Sequence, residues 1–375
     1  MQPGRTAQSS EREVSEYGER TQREVRGATV AYEEEAAPGR RRRRPLRWVL
    51  TSLLLIAAVV AGVVLWNRHQ AVETAEGCEV TPVGGKPVTM DLEQGSNAAT
   101  IAAVTIARGL PERALTIALA TGLQESKLHN LGGGDRDSVG LFQQRPSQGW
   151  GTAQQIQDPV YATNKFLDAL VKVNGYARLP LTEAAQDVQK SGYPGAYAKH
   201  ELRASQLASA LTGHTPASFS CTVHQLATPA AADATTGAGT GTSGPSPAAA
   251  ASPAGGAAGA AQQVTDRVRR EFGRAVTTTA ATGGSTDAKA AGTGALALVP
   301  DPSAGTESGA DAQRQSGWAV AQWAVAHAQE LGIGAVFYDG KSWRVEHSAD
   351  GWKPQADATA TDRVLVTLGM PAAKH

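Results

Sequence analysis

The feature that most constrains the fold of this chain is an uncharged, apolar run from Trp48 to Trp66. As a helix, its 19 residues would extend about 28 Å, which is close to the apolar thickness of a bilayer. The two tryptophans would lie in the aromatic belts, and arginines at positions 40–44 and 47 precede the run. By the positive-inside rule, the sequence predicts a single-pass protein of the cytoplasmic membrane, with its N-terminus in the cytoplasm and its C-terminal domains outside.

A cleaved signal peptide is the alternative interpretation of this run. Signal peptides have a short charged region and an apolar core of about 7–15 residues, followed by a small-residue cleavage site. Here 47 residues precede the run, and no clear cleavage site follows it. The sequence therefore favours an uncleaved signal-anchor that contacts the membrane through residues 48–66.

Charge excludes some classes of function. The chain has 35 Lys and Arg residues against 35 Asp and Glu residues, which argues against a nucleic-acid partner. Residues 1–47 hold 11 Arg and 8 Glu with few large apolar side chains, and such a segment is expected to be disordered. A single span without an intramembrane ionisable residue offers no transport pathway.

Composition divides the chain into two folded units and several connecting segments. The predicted fold class is multidomain, with an all-α domain, a small α+β C-terminal domain and one N-terminal transmembrane helix. The segments are a disordered tail (1–47), the transmembrane helix (48–66), a polar stem (67–77), the all-α domain (78–221), a flexible linker rich in Ala, Gly, Pro and Thr (222–261) and the α+β domain (262–370).

The two cysteines, Cys78 and Cys221, bracket the all-α domain. An extracytoplasmic location favours a disulfide between them over two unrelated buried thiols. Helix signals are clear between them. Pro111 begins one predicted helix over 111–128, and Asp158 and Pro159 provide the cap and first residue of another.

Glu125 comes late on the predicted 111–128 helix, and small residues beside it leave room for a cleft. A carboxyl group among apolar side chains loses solvation when it ionises, so it can keep a proton near neutral pH and act as a general acid. A glycine-rich loop over 132–134 follows, which lets backbone approach a ligand closely. Beyond it, Gln143 can hydrogen-bond amide or hydroxyl groups.

Two motifs at this spacing carry a family resemblance. Residues 123–128, Leu-Gln-Glu-Ser-Lys-Leu, followed by 140–143, Gly-Leu-Phe-Gln, resemble the lysozyme-like superfamily, most closely the soluble lytic transglycosylases and goose-type lysozymes. The resemblance implies that Glu125 is the catalytic acid, that Gln143 lines a glycan cleft, and that Ser126 and Ser138 support the site.

One part of the family pattern is altered. The transglycosylases carry a later Ala-Tyr-Asn-Ala-Gly motif in the cleft, and the nearest stretch here is 191–197. Either Tyr193 or Tyr197 is therefore expected to take the aromatic role in substrate binding.

The predicted mechanism depends on a second carboxylate. Glycosidases normally use two, whereas the resemblance to lytic transglycosylases implies one, because the substrate's own 6-hydroxyl closes an anhydro ring. Of the nearby candidates, Asp158 fits a helix cap, and Asp135 and Asp137 fit turn residues. We therefore expect Glu125 to act first as acid and then as base, with no cofactor and no metal.

The C-terminal unit resembles a domain of actinobacterial wall proteins that is similar to zinc D-Ala-D-Ala carboxypeptidases, through residues 317–328 and 333–343. Those enzymes end with an Asp-His-Val-His-Val strand, whereas residues 362–366 here read Asp-Arg-Val-Leu-Val. Ala297 stands where a ligand Asp is expected. The sequence therefore predicts a degenerate, metal-free module that binds wall peptide or a partner, or one that only packs.

Together these features predict a protein that cleaves or remodels peptidoglycan glycan strands outside the cytoplasmic membrane. The alternative is a non-enzymatic, membrane-anchored scaffold that binds the cell wall without cutting it. Other wall proteins as partners are not identified by any motif.

Overall fold

The computed structural model describes residues 50–61, 75–82, 85–193, 195–227, 253–281, 295–301, 309–355 and 361–369. The predicted tail (1–47), most of the stem and residues 228–252 of the predicted linker lie outside these ranges. Contacts divide the chain into two units, Met1–Ala71 and Val72–His375.

In the first unit, one helix, α1, covers residues 50–61, and its large apolar side chains are exposed. A helix of this length extends about 18 Å, short of the roughly 30 Å apolar layer of a bilayer. Across the described ranges, none of the helices combines the length and the apolar character needed to cross a membrane. The predicted transmembrane helix is therefore wrong as part of the fold class; residues 48–49 and 62–66 lie outside the described ranges.

Helices dominate the first part of the second unit. Local signals start two of them: Pro111 precedes α3, and the Asp158 side chain accepts from Val160 N at 3.0 Å at the start of α5. In chain order the helices are α2 (Leu92–Ala107), α3 (Glu112–Glu125), α4 (Ala153–Ile156), α5 (Pro159–Leu170), α6 (Leu181–Gln189) and α7 (Glu201–Leu211).

The same part of the chain also contains a three-stranded antiparallel sheet, formed by β1 (Gly77–Val80), β2 (Val88–Met90) and β3 (Phe219–Thr222) in the order β2-β1-β3. Cys78 lies opposite Cys221 in the β1–β3 register, and the two form a disulfide. Both cysteines are buried, at 3% and 1% exposure.

The all-α prediction for this segment is therefore wrong. With 51% helix and 16% strand, the structure mixes helix and sheet. The strands escaped prediction because each has only three or four residues, too few to show alternation, and because β1 and β3 pair across most of the segment.

The C-terminal part forms a six-stranded antiparallel sheet in the order β4-β5-β9-β6-β7-β8, accompanied by three helices. Helix α8 begins at Pro253, within the residues predicted as linker. In chain order the elements are α8 (Pro253–Phe272), β4 (Val276–Ala280), β5 (Leu296–Pro300), α9 (Ala310–Ala326), α10 (Ala328–Leu331), β6 (Ile333–Tyr338), β7 (Lys341–Arg344), β8 (Lys353–Pro354) and β9 (Val364–Leu368).

The helical segment and the C-terminal sheet pack directly against each other. Gln322 of α9 is fully buried; its Nε2 donates to Ala210 O at 2.6 Å, and its Oε1 accepts from Phe219 N at 2.7 Å. Trp343 Nε1 donates to Cys221 O at 3.0 Å. A buried amide that bonds two backbone segments fixes their relative position, because an unpaired polar group there would be costly.

A buried charged cluster joins α2 to the C-terminal helices. Glu271 is 1% exposed, and its carboxylate accepts from Thr100 Oγ1 at 3.0 Å and from Trp323 Nε1 at 2.7 Å. Its Oε2 lies 3.5 Å from Nε2 of the fully buried His327. Glu330 contacts His327 Nδ1 and accepts from Ser96 Oγ at 2.9 Å.

Arg267 completes this interface cluster. Its guanidinium lies 3.4 Å from Glu271 and 2.7 Å from Glu330. Burial disfavours a charged His327, but the two carboxylates outweigh burial and raise its pKa. Burial likewise disfavours ionised carboxylates, but His327 outweighs it, so the pKa of Glu271 is lowered and that of Glu330 falls to about 2.

Candidate functional site

Helix α3 ends at Glu125, three residues before the predicted end, because two of the next three residues adopt a left-handed backbone conformation. Lys127 and Leu128 have φ of 57° and 66°, in the left-handed region. The N–H of Leu128 returns to Gly122 O at 3.0 Å. Any side chain at Gly122 would meet Leu128, since a Cβ there would lie 2.8 Å from Leu128 Cδ2.

Helix α2 holds this turn by three hydrogen bonds. Gln94 Nε2 donates to Lys127 O at 2.6 Å, and Asn97 Nδ2 donates to Leu128 O at 2.8 Å. Glu93 accepts from Asn130 N at 2.9 Å. The end of α3, where Glu125 lies, is thus fixed by polar side chains of a neighbouring helix.

Ser126 connects the two sequence motifs. Its side chain is buried, and Oγ lies 2.7 Å from Leu141 O and 3.1 Å from Gly122 O. The Glu-Ser pair and the Gly-Leu-Phe-Gln stretch are therefore in direct contact. This makes Ser126 a structural support of the site and not part of its surface.

Gln143 lies at the turn of the second motif. Its φ is 47°, and the isolated bridge between Val139 and Gln144 brackets it. The amide Nε2 donates to Gly140 O at 3.1 Å, and Oε1 lies 3.0 Å from Ser138 Oγ. Gly134 packs on this amide so closely that a Cβ there would lie 1.7 Å from Gln143 Oε1.

Two aspartates near the site have structural partners. Asp137 accepts from Arg145 Nε at 2.7 Å and from Ser147 N at 2.8 Å, and these hydrogen bonds lower its pKa. An ionised, fully engaged carboxylate of this kind is a poor proton donor. Asp158 caps α5 and also contacts Arg270 of α8.

An open cleft of about 790 Å³ lies over the end of α3. Its walls are mostly polar, and Trp150 and Tyr193 contribute aromatic surface. Residues from the end of α3, the 135–150 loop and the end of α6 line it: Glu125, Asp135, Arg136, Ser138, Gln143, Arg145, Gln148, Trp150, Val188, Gln189, Lys190, Ser191, Gly192 and Tyr193.

Inside the cleft, Glu125 is half-buried and accepts a hydrogen bond from Tyr197 Oη at 2.7 Å on its Oε1. Tyr197 is fully buried, and burial and then the neighbouring carboxylate raise its pKa, so the phenol stays a neutral donor. Within the described ranges, Oε2 of Glu125 has no hydrogen-bond partner. Tyr197 therefore holds one of the two carboxyl oxygens.

The structure separates the predicted site residues into two layers. Glu125, Ser138, Gln143 and Tyr193 line the cleft, whereas Ser126 and Tyr197 lie behind it. The two tyrosines proposed as alternatives thus have different positions: Tyr193 is 81% exposed at the rim, and Tyr197 is buried against the acid.

Sequence reasoning missed Trp150, Arg136 and Lys190. Trp150 lies between Gly149 and Gly151, and its backbone oxygen accepts from Tyr161 Oη at 3.3 Å. No residue pattern marked the two cations.

Backbone strain concentrates at this cleft. Among the described residues, seven other than glycine have positive φ, and five of them lie in the cleft or directly after Glu125. Such conformations are unfavourable for side-chain-bearing residues and cluster at functional sites. The five are Lys127, Leu128, Arg136, Gln143 and Lys190.

Within the described ranges, no three His, Cys, Asp or Glu side chains lie close enough to hold a metal ion. In the C-terminal sheet, Ala297 of β5 lies opposite Leu365 of β9, where a ligand histidine would stand, and both are buried in one apolar cluster with Ala335 and Phe337. The predicted metal-free character of this unit stays a prediction.

Comparison with known families gives one partial match. Residues 253–363 are similar to the family described as VldE, C-terminal domain. The match covers less than a third of the chain and coincides with α8 and most of the C-terminal sheet. The chain matches no curated protein. This similarity does not bear on the lysozyme-like or carboxypeptidase resemblances, and both stay predictions.

Proposed function

We propose that this protein cleaves the glycan strands of peptidoglycan outside the cytoplasmic membrane, with Glu125 as its single catalytic carboxyl. The observation that carries the proposal is the hydrogen bond from the buried Tyr197 to Glu125 within an open, polar cleft. The motif resemblance around Glu125 and Gln143 points to the same reaction.

The reaction begins with proton transfer. The Oε2 side of Glu125 donates a proton to the glycosidic oxygen as the bond from that oxygen to the sugar carbon breaks. The same carboxylate then accepts a proton from the nucleophile. That nucleophile is the sugar's own 6-hydroxyl in a transglycosylase, which closes an anhydro ring, or water in a hydrolase.

Tyr197 and Gln143 have different roles in this scheme. Tyr197 positions the carboxyl through Oε1 and offers a neutral O–H while the glutamate is ionised. Gln143, fixed by Gly140 and the Ser138 side chain, presents an amide to sugar hydroxyl or acetamido groups.

A single carboxyl is favoured because two of the three nearby aspartates are otherwise engaged. Asp137 is held by Arg145 and Ser147, and Asp158 caps a helix. Asp135 lines the cleft and is the one candidate second carboxylate left among the described residues. The disulfide favours an oxidising compartment, which supports a location outside the cytoplasm.

A wall digest tests the proposal. The purified full chain is incubated with isolated peptidoglycan, and soluble products are separated and identified by mass. We expect anhydro-muropeptides from the wild type and a loss of at least about 100-fold in Glu125→Gln, in line with removal of a general acid. Glu183→Gln, at an exposed position on α6, is the matched control and should retain activity.

Each outcome has a defined meaning. Products with reducing ends would indicate hydrolysis in place of ring closure. Equal activity in Glu125→Gln and the wild type would contradict the assigned acid. Retained wall binding without release of products by any variant would instead support the scaffold function.

A further inference from the structure

We propose that the cleft selects glycan strands that carry carboxylates, the free acid groups of peptide side chains on the glycan, through Arg136 and Lys190. This inference rests on the proposed function, because it names the substrate class of the same cleft. A neutral polysaccharide offers no ionic partner for a guanidinium or an ammonium group, whereas a peptide-bearing strand does.

Arg136 lies in the turn closed by the hydrogen bond from Ser138 N to Asp135 O at 3.1 Å. The φ of Arg136 is 58°, in the left-handed region. The same loop has glycines at 132–134, but the left-handed position is occupied by arginine. Glycine would adopt this conformation without strain. Backbone preference therefore does not explain an arginine at this position. The property that Arg136 adds is an exposed positive charge.

Lys190 belongs to another segment of the cleft lining, at the end of α6. It ends α6 with φ of 50°, and its N–H returns to Gln186 O at 2.7 Å. Glycine or asparagine is usual at such a left-handed helix end. Its exposed side chain also lines the cleft.

Arg145, the third cation that lines the cleft, differs from Arg136 and Lys190 because it has an internal ion-pair partner. Arg145 is bound to Asp137 at 2.7 Å, and that pair belongs to the loop itself. Within the described ranges, neither Arg136 nor Lys190 forms an ion pair, although Glu125 and Asp135 line the same cleft. Both cations line the cleft without an internal ion pair among the described residues, so they are available to an anionic ligand.

The experiment measures binding, so that it does not depend on catalysis. Three soluble ligands are prepared from one strand preparation: strands with their peptides, strands stripped of peptides by an amidase and then amidated at the lactyl carboxylates that this cleavage leaves, and strands whose peptide carboxylates are converted to amides. Their affinities for full-length Glu125→Gln are measured by calorimetry at low and high salt. Arg136→Gln, Lys190→Gln and the double variant are added on this background.

We expect peptide-bearing strands to bind best and stripped or amidated strands to bind about tenfold more weakly, with the difference shrinking at high salt. Each single substitution should weaken binding of peptide-bearing strands about threefold, and the double substitution about tenfold. Arg178→Gln and Lys172→Gln, exposed cations outside the cleft lining, are matched controls and should change nothing.

Lys190→Gly separates charge from backbone conformation. It should raise the denaturation midpoint, because glycine accepts the left-handed conformation, and still weaken binding. Equal affinity for the three ligands, or equal loss in the control variants, would overturn the inference while leaving the wall digest unaffected. Absence of cleavage in that digest would contradict the proposed function without altering the binding comparison.

Discussion

At the scale of single residues, the hydrogen bond between Tyr197 and Glu125 organises the candidate site. A buried phenol can reach the carboxyl because α3 stops at Glu125 and the chain turns away through Lys127 and Leu128. The left-handed pair therefore exposes one carboxyl oxygen to the cleft region while the other is held from behind.

Replacing Tyr197 by Phe tests this division. The substitution removes the donor and keeps the ring, so the protein should lose about 1–2 kcal/mol of stability. The turnover of glycan strands should fall about tenfold with unchanged affinity, because the carboxyl is no longer held in one orientation. Tyr176→Phe, a half-buried tyrosine of the same segment, is the control. A loss of affinity without a loss of turnover would contradict a positioning role for Tyr197.

Neighbouring glycines provide a second residue-scale prediction. A Cβ on Gly134 would overlap Gln143 Oε1 at 1.7 Å, whereas a Cβ on Gly133 meets nothing within 4 Å. Gly134→Ala should therefore displace the Gln143 amide and reduce wall cleavage severalfold. Stability should change by less than about 1 kcal/mol, since the end of a side chain can move. If Gly133→Ala reduces cleavage equally, loop flexibility and not the Gln143 amide is responsible.

At the scale of elements, α2 is in contact with both the candidate site and the C-terminal helices. One set of its side chains holds the turn after Glu125, through Gln94 and Asn97. Another set, Ser96 and Thr100, bonds to Glu330 and Glu271. The C-terminal part thus supports the helix that fixes the end of α3.

The interface cluster makes stability depend on pH in two directions. The raised pKa of His327 contributes stability that is complete below its usual value of 6.5 and is lost as pH rises through the folded-state pKa. Glu330 contributes stability present above its usual 4.5 and lost as pH falls towards about 2. The cluster should therefore stabilise the fold most between about pH 4.5 and 6.5.

Denaturant unfolding across pH 3 to 9 measures this effect. His327→Gln should lose about 3 kcal/mol near pH 5.5, since it leaves buried carboxylates unpaired, and its loss should shrink towards alkaline pH. The exposed His347 provides the control as His347→Gln. A constant difference between His327→Gln and the wild type at every pH would contradict the charged state of the histidine.

Packing between α9 and the end of α7 gives another prediction at this scale. Gly213 has φ of 79°, and a Cβ there would lie 2.0 Å from the backbone oxygen of Gln315. Gly175 has φ of 72° with nothing within 4 Å. Gly175→Ala should cost about 1 kcal/mol through its backbone alone, and Gly213→Ala about 3 kcal/mol or more. Denaturant midpoints measure both losses of stability. Similar losses for the two variants would show that Gly213 and Gln315 are not in close contact.

At the scale of the whole molecule, most features that could be predicted from the sequence depend on residues close together in the chain. The starts of α3 and α5 follow from Pro111 and Asp158, because capping acts within a single turn. The early end of α3 was not predictable, since neither Lys127 nor Leu128 favours positive φ. The Cys78–Cys221 disulfide was predicted and is confirmed, although its cysteines are 143 residues apart. The pairing of β1 with β3 around it was not predictable, because each strand has only four residues.

In the candidate site, too, contacts between residues far apart in the sequence could not be predicted. Glu125 and Gln143 could be proposed from two motifs, because their spacing in sequence is short. The contact of Tyr197 with Glu125 spans 72 residues, so the motif could not decide between Tyr193 and Tyr197. The predicted transmembrane helix is a different case: residues 50–61 of the apolar run are helical, and its two ends, 48–49 and 62–66, lie outside the described ranges.

The buried contacts between the helical segment and the C-terminal sheet predict one cooperative transition for residues 75–369. Tryptophans lie on both sides, with Trp150 at the cleft and Trp318 and Trp323 in the C-terminal core. Fluorescence and far-ultraviolet circular dichroism should therefore give coincident denaturation curves. Two separated transitions would show that the parts unfold independently.

The positions of the two cysteines in the chain limit when the disulfide can form. A chain synthesised from its N-terminus presents Cys78 early, Cys221 much later, and the tryptophan that bonds Cys221 O, Trp343, later still. Both sulfurs end up buried. An oxidant or isomerase can therefore act on this pair only after Cys221 has been synthesised and before folding buries the two sulfurs. In the folded molecule the buried disulfide is therefore shielded from thiol exchange.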